Sequence, residues 1–167
     1  MNVNDLLMDG YGRLPDLVRS AVEGLTPQDL RWTPGPLANP IGWLVWHLTR
    51  VQDSQVAELS GTGQVYTGGP WAARFGLEPD PQDTGYEHTI EQVGAVRASA
   101  EALVEYYDAV HERTLGLLSE VTEADLDRVV DERWDPPVTL GVRLISVLDD
   151  DVQHAGQAAY VRGLLGR

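Results

Sequence analysis

The stretch Asn39-Pro40-Ile41-Gly42-Trp43-Leu44-Val45-Trp46-His47-Leu48-Thr49-Arg50-Val51-Gln52-Asp53 decides the fold. Asparagine followed by proline is a helix-start signal, an N-cap residue before a first-turn position that needs no amide hydrogen. A helix is therefore predicted from Asn39-Pro40 to about Leu59, ended by Ser60-Gly61. Ile41 to Leu48 is the longest strongly apolar run of the chain. A helix that is apolar nearly all round belongs in a core, and this one carries a histidine, His47, in its middle.

Three further helical segments flank it. The first runs from about Asn4 to Gly24, with Leu6, Leu7, Leu14, Leu17, Val18 and Val22 forming most of one stripe and a kink or restart at Pro15. The third starts near Thr89 or Arg97 and reaches Glu120; the fourth runs from about Thr139 to Leu165, after Pro136-Pro137. Residues 61–88, with six glycines and three prolines, form a long excursion of the kind that often walls a site. No strand alternation is visible. Leu25-Thr26-Pro27-Gln28-Asp29-Leu30 and Val121-Thr122-Glu123-Ala124-Asp125-Leu126 both read Thr-x-x-Asp-Leu, a hydroxyl answered three residues on by a carboxylate. Each follows a long helix and precedes another, so two similar halves are expected to pack as an all-α, antiparallel four-helix bundle, one domain over residues 1–167.

Composition narrows the function. The 167 residues hold 26 acidic and 12 basic groups for a net charge of −14, and all the basic ones are arginine. Such a chain lacks the cations that bind nucleic acid or an anionic membrane. The absence of cysteine excludes disulfides, thiolate ligands and a cysteine nucleophile. The start, Met1 to Gly10, lacks a basic region followed by an apolar one, and no apolar run approaches the roughly 20 residues that cross a bilayer. A cytoplasmic location is the expectation.

The four histidines are His47, His88, His111 and His154. Asp150 precedes His154 by four residues, which stacks carboxylate and imidazole on one helix face. If the second and fourth helices face each other, His47, Asp150 and His154 share an interior pocket. Two nitrogens and one oxygen suit Zn²⁺, Ni²⁺ or Fe²⁺ with a position left open. Asp151 is the alternative carboxylate. The plainer readings are hydrogen-bonded core histidines and an acidic surface run at Asp149–Asp151. His88 and His111 read as surface groups, Trp43 and Trp46 as core and pocket wall. Arg50 and Asp53 read as an ion pair, although Arg50, one turn from His47, is also placed to meet an anionic substrate. Gln157 is placed to support a ligand from behind.

Gly12-Arg13, Gly24-Leu25-Thr26, Pro34-x-Pro36, Ala38-Asn39, the Trp43-Leu44-Val45-Trp46-His47-Leu48 block and His154-Ala155-Gly156-Gln157 together resemble the DinB-like superfamily. Within it, they are most similar to the mycothiol-dependent maleylpyruvate isomerase N-terminal-like branch. The resemblance spans nearly the whole chain. It implies a four-helix bundle holding a divalent metal near one end, with ligands at His47, Asp150 and His154. The family usually carries glutamate or histidine where this chain has Asp150. It also implies pairing through long helices, for which Leu103 or Val110 would supply an apolar seam of a homodimer.

The leading functional expectation is a metal-dependent thiol S-transferase or isomerase. The metal, most simply zinc, would activate a low-molecular-weight thiol such as mycothiol against an electrophile held under the 61–88 excursion. The arginine-only composition fits a high-GC host, where mycothiol is the thiol. A metal-dependent hydrolase and a non-catalytic acidic binding bundle are the alternatives.

Overall fold

The computed structural model describes residues 1–167. Asn2 opens α1 (Val3–Gly12): its side chain accepts the Asp5 amide while the Asp5 carboxylate accepts the Asn2 amide. Helix α2 (Leu14–Val22) restarts directly, with Pro15 in its first turn where no amide hydrogen is missed. Helix α3 (Ile41–Ser60) ends on Gly61, whose left-handed φ of 63° closes the last turn. Asn39 does not cap it. Pro40 itself takes the N-cap position with extended backbone, and no side chain bonds the first turn.

The 61–88 excursion folds back onto α3 and carries two short helices, α4 (Val65–Gly68) and α5 (Trp71–Arg74). A buried ion pair anchors it. The Arg50 guanidinium lies 3.4 Å from Asp53, 4.0 Å over the Tyr66 ring, and donates to the carbonyls of Asp80, Pro81 and Asp83. Asp53 in turn accepts the amides of Val65 and Tyr66 at the start of α4, and the Tyr106 hydroxyl. The expected Arg50–Asp53 pair thus forms, and Arg50 is fully buried, its guanidinium taken up by Asp53, Tyr66, Tyr106 and the loop carbonyls rather than turned to a site opening.

The expected third helix is broken. Helix α6 (Ile90–Ala95) starts on a reciprocal Thr89–Gln92 cap, the chain extends at Val96, and the Arg97 amide bonds the Phe75 carbonyl at 2.8 Å. Helix α7 (Ala100–Glu120) then begins on Ser99. Both Thr-x-x-Asp turns form as read: Thr26 with Asp29 and Thr122 with Asp125 each open a short 3₁₀ turn. After the second, β1 (Val129–Asp131) pairs antiparallel with β2 (Val138–Thr139), Val129 opposite Thr139 and Asp131 opposite Val138. This hairpin escaped the sequence reading because strands of three and two residues are too short to show alternation. Thr139 caps α8 (Leu140–Leu165).

The molecule is mostly helical. Helix α3 packs chiefly on α8 and then on α7, while α2 packs on both α7 and α8. A cluster of 32 buried apolar residues fills the space between them. Residues 41–50 of α3 are all buried, as their apolar run required, because the turn at Asp29–Arg31 and the excursion cover the faces that α7 and α8 leave. Leu103 and Val110 lie inside this core, 0% and 1% exposed, so neither supplies a dimer seam. No helix is long and apolar enough to cross a membrane.

Candidate metal centre

His47 reaches inward from the middle of α3, and Asp150 with His154 reach toward it from α8, the helix most closely packed on α3. One ligand-type atom from each of the three lies within 4.8 Å of the other two. His154 Nε2 is 3.5 Å from Asp150 Oδ1, and the two imidazole rings meet edge to face with centroids 4.7 Å apart. Ligand atoms around one tetrahedral zinc stand about 3.3 Å apart, given bonds near 2.0–2.1 Å. Small side-chain rotations therefore close the set around an ion. The other oxygen of Asp150 is buried with no hydrogen-bond partner, a costly state for a carboxylate unless a cation satisfies it.

Both imidazoles are oriented from behind. His47 Nδ1 donates to the Thr84 carbonyl at 2.5 Å, and His154 Nδ1 pairs with Gln157 Oε1 at 2.9 Å. An Nδ1 that donates to an oxygen leaves Nε2 with a free lone pair, the form a metal needs. Burial pushes His47 below the usual imidazole range, and the hydrogen bond to the Thr84 carbonyl opposes that shift. The Asp150 carboxylate pushes His154 the other way, upward. Gln157 thus sits where the sequence placed it, and Thr84 was not foreseen, because a backbone carbonyl from another segment leaves no mark in the sequence.

The excursion seals this side of the site. Gly85, at φ 91°, passes so close that an added Cβ would stand 2.9 Å from His47 Nδ1 and 2.9 Å from the Trp46 ring. Only glycine combines that conformation with that approach. Trp43 stacks on His47 with ring centroids 4.6 Å apart and is buried in the core. His88 is no surface group. Its side chain is 7% exposed, accepts the Trp43 indole N–H at 3.2 Å through Nδ1 and bonds Asp83 at 2.7 Å through Nε2. His111 is half-buried against Tyr107, with Nδ1 unpartnered, and stands on α7 outside the cluster. Asp151 is fully buried among Tyr11 and Tyr107, neither of its oxygens bonded, and lies outside the His47–Asp150–His154 group. One residue of helix is about a 100° rotation, which turns Asp151 into the core when Asp150 faces the histidines.

The model of the DinB superfamily matches residues 11–158. A search of curated proteins finds no match. Among solved structures, the chain is similar to a conserved protein of Enterococcus faecalis whose crystal structure superposes with a TM-score of 0.89 at 31% identity, covering 100% of this chain and 99% of that one. With the family model matching most of the chain and a full-length structural relative above 30% identity, this protein belongs to the DinB superfamily.

Proposed function

We propose that His47, Asp150 and His154 hold a divalent metal, zinc in the simplest case, in a single antiparallel four-helix-bundle domain, and that the protein is an enzyme acting through a low-molecular-weight thiol. The observation that carries the metal is the orphaned Asp150 oxygen beside two imidazoles, each held from behind through Nδ1. Three protein ligands leave a coordination position open, the arrangement of catalytic rather than structural sites. When bound, such an ion would lower a thiol's pKa from its free value of about 8.5 and hold it as thiolate.

The chain's own residues do the rest. Thr84 and Gln157 hold the imidazoles, while Trp43, Gly85 and the folded-back excursion keep bulk water off the His47 side. With no cysteine in the chain, any thiolate must come from the co-substrate.

Metal content after purification tests the first half, with Co²⁺ exchange for the second. One divalent ion per chain, lost in His47→Ala, is the expected result, together with a sulfur-to-cobalt charge-transfer band when mycothiol is added. A metal-bound protein showing no such band would overturn the thiol reading in favour of hydrolysis. A chain without stoichiometric metal would overturn both and leave a binding bundle.

A further inference from the structure

Residues 83–88 reach the His47 face at two places, and the Thr84 bond is only the first. The second is made by His88. Its Nδ1 lies 3.2 Å from the Trp43 indole nitrogen, and its Nε2 lies 2.7 Å from Asp83 Oδ1. An indole N–H can only donate and a carboxylate can only accept. The two neighbours therefore assign the ring, with Nδ1 bare and the proton on Nε2. Asp83 Oδ1 also accepts the Gly85 amide at 3.0 Å, and the His88 amide donates to the Gly85 carbonyl at 3.2 Å, closing the segment into a tight turn. The Asp83 carbonyl accepts Arg50 Nε at 3.0 Å, so the near end of that turn is tied to the buried ion pair.

Trp43 links this turn to the metal centre. It precedes His47 by four residues, which puts the two side chains on one face of α3. Its indole lies nearly parallel to the imidazole, with 9° between the planes. The Thr84 bond alone holds His47 at a single atom and leaves the ring free to turn about that bond. A flat ring packed on its face removes the turn, provided that the flat ring is itself held. His88 holds it. Were the indole to swing away, its N–H would lose its acceptor in a buried place, which is costly. His88 cannot follow, because its other nitrogen is bonded to Asp83 and its ring lies against the fully buried Trp46, with centroids 5.7 Å apart.

We infer that His88 is a positioning residue for His47: with its proton fixed by Asp83, it holds the Trp43 indole flat against the imidazole and so keeps His47 Nε2 aimed at Asp150 and His154. Asp83, His88 and Trp43 form a chain that orients a ligand without touching an ion. The inference rests on the proposed metal site for what His47 is aimed at; the hold on the ring is built by residues outside that site.

Proton–nitrogen NMR of the full chain, first without metal, reads the Trp43 indole N–H, the His88 tautomer and the His47 ring signals, which the stacked indole displaces. Zn²⁺ titration against a competing chelator reads the consequence. The wild type should show a slowly exchanging Trp43 N–H and His88 protonated on Nε2. His88→Leu should release the indole, move the His47 signals and weaken Zn²⁺ about 10-fold. His88→Gln, whose carboxamide sets an acceptor beside a donor, should restore most of the signals and the affinity. Trp43→Phe, which keeps a ring but no N–H, should lose affinity too, and adding His88→Leu to it should cost nothing further. If His88→Leu does not fold, His88→Gln and Trp43→Phe carry the comparison: loss in the second with retention in the first is the expected pair. A Trp43 N–H that exchanges as fast as that of exposed Trp134 would overturn the chain of bonds. Unchanged His47 signals and Zn²⁺ affinity in His88→Leu, or losses that add in the double variant, would overturn the positioning role. The expected NMR changes in a chain that takes up no metal would support the hold on His47 while refuting the metal centre.

Discussion

The Thr84 carbonyl lies 2.5 Å from Nδ1 of His47, joining the excursion to the middle of α3. The bond does two things at once. It fixes which imidazole nitrogen carries the proton, and it brings Gly85 and the following residues down over the Trp43–His47 face. The excursion, already anchored on Arg50 and Asp53, thereby becomes part of the site's wall.

Gly85→Ala is expected to disturb that wall directly. The new methyl would sit 2.9 Å from His47 Nδ1 at a φ of 91°, so the segment must shift and the Thr84 bond with it. A left-handed non-glycine residue in such a place costs about 1–3 kcal/mol. Thermal melts should show that loss, and zinc titration with a competing chelator should show weakened affinity. Wild-type affinity in this variant would mean that the excursion does not orient His47.

The two neighbouring aspartates should separate cleanly. Asp150→Ala removes the α8 carboxylate and should abolish tight metal binding, because Asp151 is buried among Tyr11 and Tyr107 and cannot substitute. Asp151→Asn should retain full metal occupancy. Gln157→Ala, which removes only the partner of His154 Nδ1, should lower affinity about 10–100-fold. Metal analysis of the three variants, read with circular dichroism, checks the order.

Acid should weaken the anchorage of the β1–β2 hairpin. Hydrogen bonds from Arg133, then from Arg143, hold the Asp131 carboxyl well below the usual carboxylate range. A depressed folded-state pKa contributes stability above the unfolded value, about 3.9, and that stability is lost as pH falls from there toward the folded value. Asp131→Asn should therefore be less stable than wild type at neutral pH, with a gap that starts to narrow only as pH falls below ~4. Chemical denaturation at pH 7, 5 and 3 gives the comparison, and a constant gap across the three would contradict the ion-pair account.

Leu103→Ala should behave as a core substitution. The side chain is fully buried on α7, and truncating a buried leucine costs about 2–5 kcal/mol. The variant should melt well below wild type with no change in sedimentation coefficient while folded. A change of association state at unchanged stability would restore the surface seam that the packing excludes.

The local parts of this protein were legible in its sequence. Pro15 restarted a helix, two Thr-x-x-Asp pairs made two capped turns, Gly61 stopped α3, and Asp150 with His154 shared a face. Each depends on residues a few positions apart, where helix geometry fixes their relation. The apolar Ile41–Leu48 run also determined that His47 would be buried. Only the tertiary structure decided which of Asp150 and Asp151 faces that histidine, since the choice rests on how α8 is rotated against α3. It likewise decided that His88 and Arg50 are inside, that Thr84 bonds His47, and that Arg133 and Arg143 meet at Asp131 beside the site. Most of these join segments some thirty or more residues apart, through backbone carbonyls and shared carboxylates whose partners are set by packing rather than by spacing.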